Sequence, residues 1–183
     1  NTAHELGHKR GRRKGWLAKL ALAQSAYGHF YVEHNRGHHV RVATPEDPAS
    51  ARYGESLYRF WLRTVAGSVV SAWGLERDRL AGTGRSVWSW RNHNLQAWSL
   101  TIILFAGLVA WLGAGVLPFL LIQAVIGFSL LEVVNYVEHY GLLREKGDDG
   151  GYVRVAPRHS WNSNHRVSNL MLYHLQRHSD HHA

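Results

Sequence analysis

The sequence of 183 residues reads as all-α and polytopic in a membrane, on three observations. Positions 92–131 form a run of 40 residues without Lys, Arg, Asp or Glu. At about 1.5 Å per helical residue the run reaches about 60 Å, enough for two crossings of a hydrocarbon core about 30 Å thick. It breaks near its middle at Gly113-Ala114-Gly115, with Pro118 just beyond, which suits a tight turn followed by the first turn of a new helix. Its flanks are basic: Arg77, Arg79, Arg85 and Arg91 precede it, Arg144, Lys146, Arg154 and Arg158 follow it, and the turn carries no charge. Because cytoplasmic flanks collect Lys and Arg, a hairpin of two spans, 96–112 and 118–140, is expected with both ends in the cytoplasm. The alternative is a buried helical pair in a soluble protein, but soluble helices rarely stay uncharged over such a length.

The remaining elements follow in chain order. Region 15–31 carries Trp16, Leu17, Leu20, Leu22 and Tyr27 with helical period, and region 57–75 sets Arg59 and Arg63 among apolar residues, so both are expected as amphipathic or interfacial helices. Loops are expected at Thr44-Pro45-Glu46-Asp47-Pro48, at Ala81-Gly82-Thr83-Gly84 and at Gly147-Asp148-Asp149-Gly150-Gly151. No internal repeat, low-complexity tract or secretory signal stands out. The length allows one domain, with polar regions 1–95 and 141–183 on either side of the hairpin.

Composition narrows the chemistry. Lys and Arg number 21 against 13 Asp and Glu, for a formal charge of +8. The basic residues are dispersed, and most of the 8 Trp lie in apolar runs, so the stacking groove of a nucleic-acid binder is not expected. With no Cys, thiolate catalysis, disulfides, iron–sulfur clusters and Cys-containing zinc sites are all excluded. Any metal must be held by nitrogen or oxygen.

The 14 His supply the nitrogen. His4 and His8 are four apart, His34, His38 and His39 form an i, i+4, i+5 set, and His178, His181 and His182 form an i, i+3, i+4 set. On a helix each set is expected on one face. His139, at the cytoplasmic end of the second span, would bring a fourth element to the same membrane surface. Nine clustered imidazoles exceed the roughly four to six ligands of one ion and suit two. His29, His93, His159, His165 and His174 are expected in surface or core roles, with His165 the outsider of most interest. Acidic residues neighbour the sets: Glu5, Glu33, Glu138 and Asp180 each adjoin a His, and Glu132 and Asn135 share a helical stripe with His139. These six are candidates to orient ligand imidazoles through the second ring N–H. His4-Glu5-Leu6-Gly7-His8 also matches the H-E-x-x-H pattern of zinc metalloproteases, but a protease gives no reason for the further His clusters.

Four stretches together resemble the integral-membrane alkane hydroxylases within the histidine-box family of membrane desaturases and hydroxylases. They are His4-Glu5-Leu6-Gly7-His8-Lys9, Glu33-His34-Asn35-Arg36-Gly37-His38-His39, Asn135-Tyr136-Val137-Glu138-His139-Tyr140-Gly141-Leu142, and Leu175-Gln176-Arg177-His178-Ser179-Asp180-His181-His182-Ala183. The last three are far more specific to alkane hydroxylases than to desaturases. The resemblance runs end to end and implies a single catalytic-core fragment, 1–183, that carries the last two transmembrane helices of a longer enzyme and lacks its N-terminal spans. It carries the metal role onto His4, His8, His34, His38, His39, His139, His178, His181 and His182. It implies two ferrous ions as cofactor, O2 as cosubstrate and no organic cofactor. The reaction implied is insertion of one oxygen atom into the terminal C–H of a medium or long alkane, giving a primary alcohol and water.

No separate acid or base is assigned. The electrons are implied to come from rubredoxin, with its reductase upstream, and Lys9, Arg10, Arg12, Arg13 and Lys14 form a basic patch that an acidic carrier would meet. The same patch also suits lipid headgroups. The location implied is the bacterial inner membrane, multi-pass, with the site near the cytoplasmic side. A related desaturase or a hydroxylase of fatty acyl or alkyl-aromatic substrates is the nearest alternative. A His-rich metal transporter or storage protein is the alternative of another class, and it would place ionisable ligands in the middle of the spans.

Overall fold

The computed structural model describes residues 6–8, 11–148, 150–171 and 178–179. Among them the chain is all-α; the one extended pairing is an isolated antiparallel bridge between Lys146 and Tyr152. Helix α1 is Arg12–Ala23. Helix α2 is composite: an α-turn Phe30–Val32, a π-turn Glu33–His38 and an α-turn His39–Arg41 follow one another without a break. Helix α3 is Leu57–Ala81, α4 is His93–Leu112, α5 is Leu117–His139 and the short α6 is Arg166–Met171.

The hairpin is α4 and α5. Asn92 caps α4, its side-chain oxygen accepting from the N–H groups of Asn94 at 2.8 Å and Leu95 at 3.4 Å. Gly113, at φ 86°, ends α4 in a conformation that costs other residues dearly, and Pro118 occupies the first turn of α5. Only 6% and 11% of the most apolar stretches of the two spans are buried. Ile102, Ile103, Trp111, Phe119 and Leu130 are all more than half exposed. The core pair of a soluble protein is mostly buried, whereas these faces are open, as a membrane hairpin requires.

Helix α3 lies across both spans. Its buried residues, Phe60, Thr64, Ser68, Ala72, Glu76 and Leu80, recur every four positions and form one ridge. The first half of the ridge meets α5, where Thr64 Oγ1 donates to Glu132 at 2.9 Å and the neighbouring Trp61 Nε1 donates to Ser129 at 2.9 Å. The second half meets α4: Asn94 donates to the Ala72 carbonyl at 2.8 Å, and Trp73 stacks on Trp98.

Helix α1 packs beside the start of α4, where Lys19 Nζ reaches His93 Nδ1 at 2.6 Å and Gln96 Oε1 at 2.5 Å. The helix expected through residue 31 stops at Ala23, because Ala26 turns into the left-handed region at φ 51° and the chain reverses. Gly28 then passes so close to Ala97 that a side chain there would collide with it. The reversal sends α2 back toward the end of the hairpin that carries His139. Leu22, Tyr27 and Phe30, with Phe128 and Leu131 of α5, form the small core beneath it.

Candidate metal centre

Among the described residues, six imidazoles converge at that end in two groups of three. His8, His34 and His39 form the first, and His38, His139 and His178 the second; within each, the candidate ligand atoms all lie within 4.8 Å of one another. In the first group His34 Nε2 is 3.1 Å from both His8 Nε2 and His39 Nε2. The second group is fully buried, with ring centroids 4.7 Å apart for His38 and His139 and 5.0 Å for His139 and His178. The groups are neighbours, since the rings of His34 and His38 stack at 5.4 Å, and Phe30 covers the far side of His34 at 4.7 Å. The set His34, His38 and His39, expected on one helix face, is therefore shared between two places.

Two carboxylates back the second group. Asp47, nine residues past His38, accepts from His38 Nδ1 at 2.8 Å, from the Ser50 hydroxyl at 2.5 Å and from the Ala49 N–H at 3.1 Å. Burial opposes the charge on Asp47, but the adjacent His38 imidazole and the Ser50 hydroxyl outweigh it and hold the carboxyl below its usual range. Glu138 lies 3.3 Å from Nδ1 of His178. The loop carrying Asp47 is tied to the site by backbone: Arg144 N donates to the Ala43 carbonyl, and Gly141 N donates to the Ala51 carbonyl. His178 is anchored through Ser179, whose N–H donates to Asn162.

The other orienting candidates take different partners. Glu33 accepts from Arg41 at 2.8 Å; burial raises its carboxyl above the usual range. Glu132 is buried and accepts from Tyr27, Thr64 and Asn135, two helical turns from His139. His4, Glu5, Lys9, Arg10, Asp180, His181 and His182 lie outside the described residues, as does the side chain of Arg12; Arg13 and Lys14 are exposed at the start of α1.

Of the His expected elsewhere, His29 is buried against Tyr27, and burial lowers its pKa to about 4. His159 is buried and accepts from the Ala156 N–H, while His165 is exposed and stands in neither group.

Two acidic residues escaped sequence reasoning. Asp47 sat in a segment marked only as a loop, and its one signal was an acid between two prolines just after a His cluster. Glu76, fully buried on α3, binds Arg36 of the π-turn at 2.5 Å, Arg79 at 2.7 Å and the His93 N–H at 2.6 Å. It clamps α2 to α3 and to the start of α4.

The donor set fits a pair of transition-metal ions. Imidazole nitrogens bound about 2.1 Å from one ion stand roughly 3–4 Å apart, so each group needs only small side-chain adjustments to close on a metal. The carboxylates at His38 and His178 occupy the place where ligand imidazoles commonly donate their other N–H.

Comparison with known proteins agrees with this geometry. The sequence model of the fatty acid desaturase family matches residues 1–183. The alkane 1-monooxygenase of Ectopseudomonas oleovorans is 56% identical over 183 residues, covering 100% of this chain and 46% of that protein. Alkane 1-monooxygenase 1 of Alcanivorax borkumensis is 57% identical, over 100% of this chain and 45% of its own length, and the alkane 1-monooxygenase of Pseudomonas putida is 55% identical, over 100% and 46%. The chain thus spans about half the length of the curated relatives it matches. Two outward-facing apolar helices, clustered imidazoles at one end of them and a family match along the whole chain lead to one conclusion: this membrane protein belongs to the fatty acid desaturase family.

Proposed function

We propose that this chain is the metal-binding half of a membrane di-iron alkane 1-monooxygenase. The observation that carries the reading is the pair of adjacent imidazole groups, His8, His34 and His39 beside His38, His139 and His178, in a chain 55–57% identical throughout to alkane 1-monooxygenases. His4, His181 and His182 complete the proposed ligand set. Two ferrous ions held there would supply the electron-transfer chemistry that O2 requires. The balanced reaction takes an alkane, O2, two electrons and two protons to the 1-alcohol and water, with rubredoxin as the proposed electron donor.

The chain's own residues do the positioning. Asp47 fixes Nδ1 of His38 through a hydrogen bond of 2.8 Å and leaves Nε2 as the atom that would bind a metal; Glu138, 3.3 Å from Nδ1 of His178, is the carboxylate that would orient that ring. Burial of the second group keeps bulk water away from it. Phe30 and Tyr27 give the site an apolar floor facing the hairpin. The basic flanks favour a cytoplasmic site on a bacterial inner membrane. A metal-transport reading would need ligands midway along the spans, whereas His139 is the last residue of α5 and the other five lie outside both spans.

The test is to express the complete protein, measure iron per chain, and assay rubredoxin-dependent conversion of octane and hexadecane to their 1-alcohols. Two iron ions and terminal alcohol are expected. One zinc per chain with no alcohol would overturn the assignment.

A further inference from the structure

Helix α2 delivers three imidazoles to two places, and its register decides which goes where. In an α-helix each residue turns by about 100°, so His34 and His38 would share a face while His39 stood about 140° from His34. The structure has the other partition: His34 and His39 meet at 3.1 Å, and His38 joins His139 and His178. The cause is the π-turn Glu33–His38, where the His39 N–H reaches the carbonyl of His34, five residues back. One wider turn brings His39 round to His34 and swings His38 away to the second group.

A π-turn is rare because its backbone bonds are poorer than those of an α-helix, so one that persists is held by something around it. Here the hold is visible in the contacts of Arg41. Arg41, one turn beyond, reaches back over the π-turn: its Nη2 donates to Glu33 Oε1 at 2.8 Å and to Ser71 Oγ on α3 at 2.5 Å, and its Nε donates to the Gly37 carbonyl at 3.3 Å. Glu33 is 2% exposed, so the carboxylate end of the pair is shielded from competing water, while the Arg41 side chain stays 29% exposed. Gly37 leaves the room: a Cβ there would collide with the Arg41 guanidinium and the Glu33 carboxylate together. The ion pair therefore ties the first residue of the π-turn to the turn that follows it, across the one residue without a side chain.

We propose that Glu33 and Arg41, bridging over Gly37, are positioning residues that hold the π-turn and so apportion His34 and His39 to one metal ion and His38 to the other. The proposal rests on the two-ion reading above and assigns Glu33 to helix register, not to orienting the His34 ring.

The test uses the complete membrane protein loaded anaerobically with ⁵⁷Fe(II), reading iron per folded chain and the Mössbauer spectrum alongside helical content by circular dichroism. Wild type should bind two ions. Glu33→Ala and Arg41→Met should keep their helical content but fall toward one ion per chain, with an altered spectrum, while Glu33→Gln, which keeps an acceptor for Arg41, should retain two. Two ions and an unchanged spectrum in both Glu33→Ala and Arg41→Met would overturn the proposal. If neither variant folds, Arg41→Lys decides, since it keeps the charge but loses the fork to Gly37 and Ser71: weakened binding of one ion supports the proposal, and unchanged iron and spectrum reject it. A wild type that binds fewer than two ions would instead defeat the two-ion reading itself, before any variant is compared.

Discussion

Behind His38 stands a carboxylate that accepts from an imidazole, a hydroxyl and a backbone N–H, and this makes Asp47 the most informative single residue of the site. Asp47→Asn removes the charge that fixes the His38 N–H. We expect about a 10- to 100-fold loss of affinity for one of the two ions, measured by chelator competition on the complete protein, with helical content unchanged. Spacing alone selected the imidazoles, because ligands on helices recur at helical intervals. Asp47 escaped because a carboxylate on a loop has no period. Adjacency pointed instead to Glu33 and Glu138, yet neighbours along a helix diverge by about 100°, so Glu33 found Arg41 and Glu138 found His178. Lys19 gives a second prediction. Burial lowers its pKa from 10.5 to about 8. Between those values the unfolded chain holds the proton and the folded chain does not, so stability rises with pH from about 8 to 10.5. In thermal unfolding scans Lys19→Met should remove that rise, and an unchanged pH profile would contradict it.

At the scale of elements, α3 is the strut that sets the angle between the spans and the π-turn. Between Phe60 and Leu80 its ridge is of small and polar residues and would look unremarkable in a helical plot, yet Thr64, Ala72 and Glu76 each make a bond that a larger apolar residue would block or omit. Glu76 is buried between two arginines that keep part of their surface in water. Its replacement by Ala leaves the His93 N–H and the two guanidinium groups without their shared acceptor and should cost about 1–3 kcal/mol of stability, read from SDS unfolding, the cost of leaving donors unsatisfied. Stability within 0.5 kcal/mol of wild type would be about what an exposed pair gives, and would remove the clamp. The existence of α3, α4 and α5 was legible because hydrophobic runs and caps are local signals. The π-turn was not, since it depends on Arg41 and on Ser71 of α3, a residue 30 positions away from Arg41.

For the whole molecule, the two spans present most of their apolar surface outward. Ile103, halfway along α4 and 66% exposed, tests this directly. Ile103→Lys should cost about 2.5–3.5 kcal/mol of membrane insertion, seen as a larger carbonate-extractable fraction, while Ile103→Val should leave the protein in the membrane pellet. Equal extraction of the Lys variant would return the helices to a soluble role. The core of the described chain is small and lies beneath the metal groups, so the folding energy that positions six imidazoles is concentrated at one end of the hairpin.

By itself the sequence determined the helical class, the hairpin and its turn, and the imidazole inventory, because charge, hydropathy and His spacing are properties of neighbours along the chain. The absence of Cys further required that nitrogen and oxygen do all the binding. Only the tertiary structure decided the partition of His34 and His39 from His38, the carboxylates beside His38 and His178 and the strut that holds them. Each of these joins residues from different elements, and the distances that matter, 2.8 Å from Asp47 to His38 and 3.3 Å from Glu138 to His178, exist only after the chain has packed. Spacing restricts which faces a residue can share; packing and one widened helical turn choose among them.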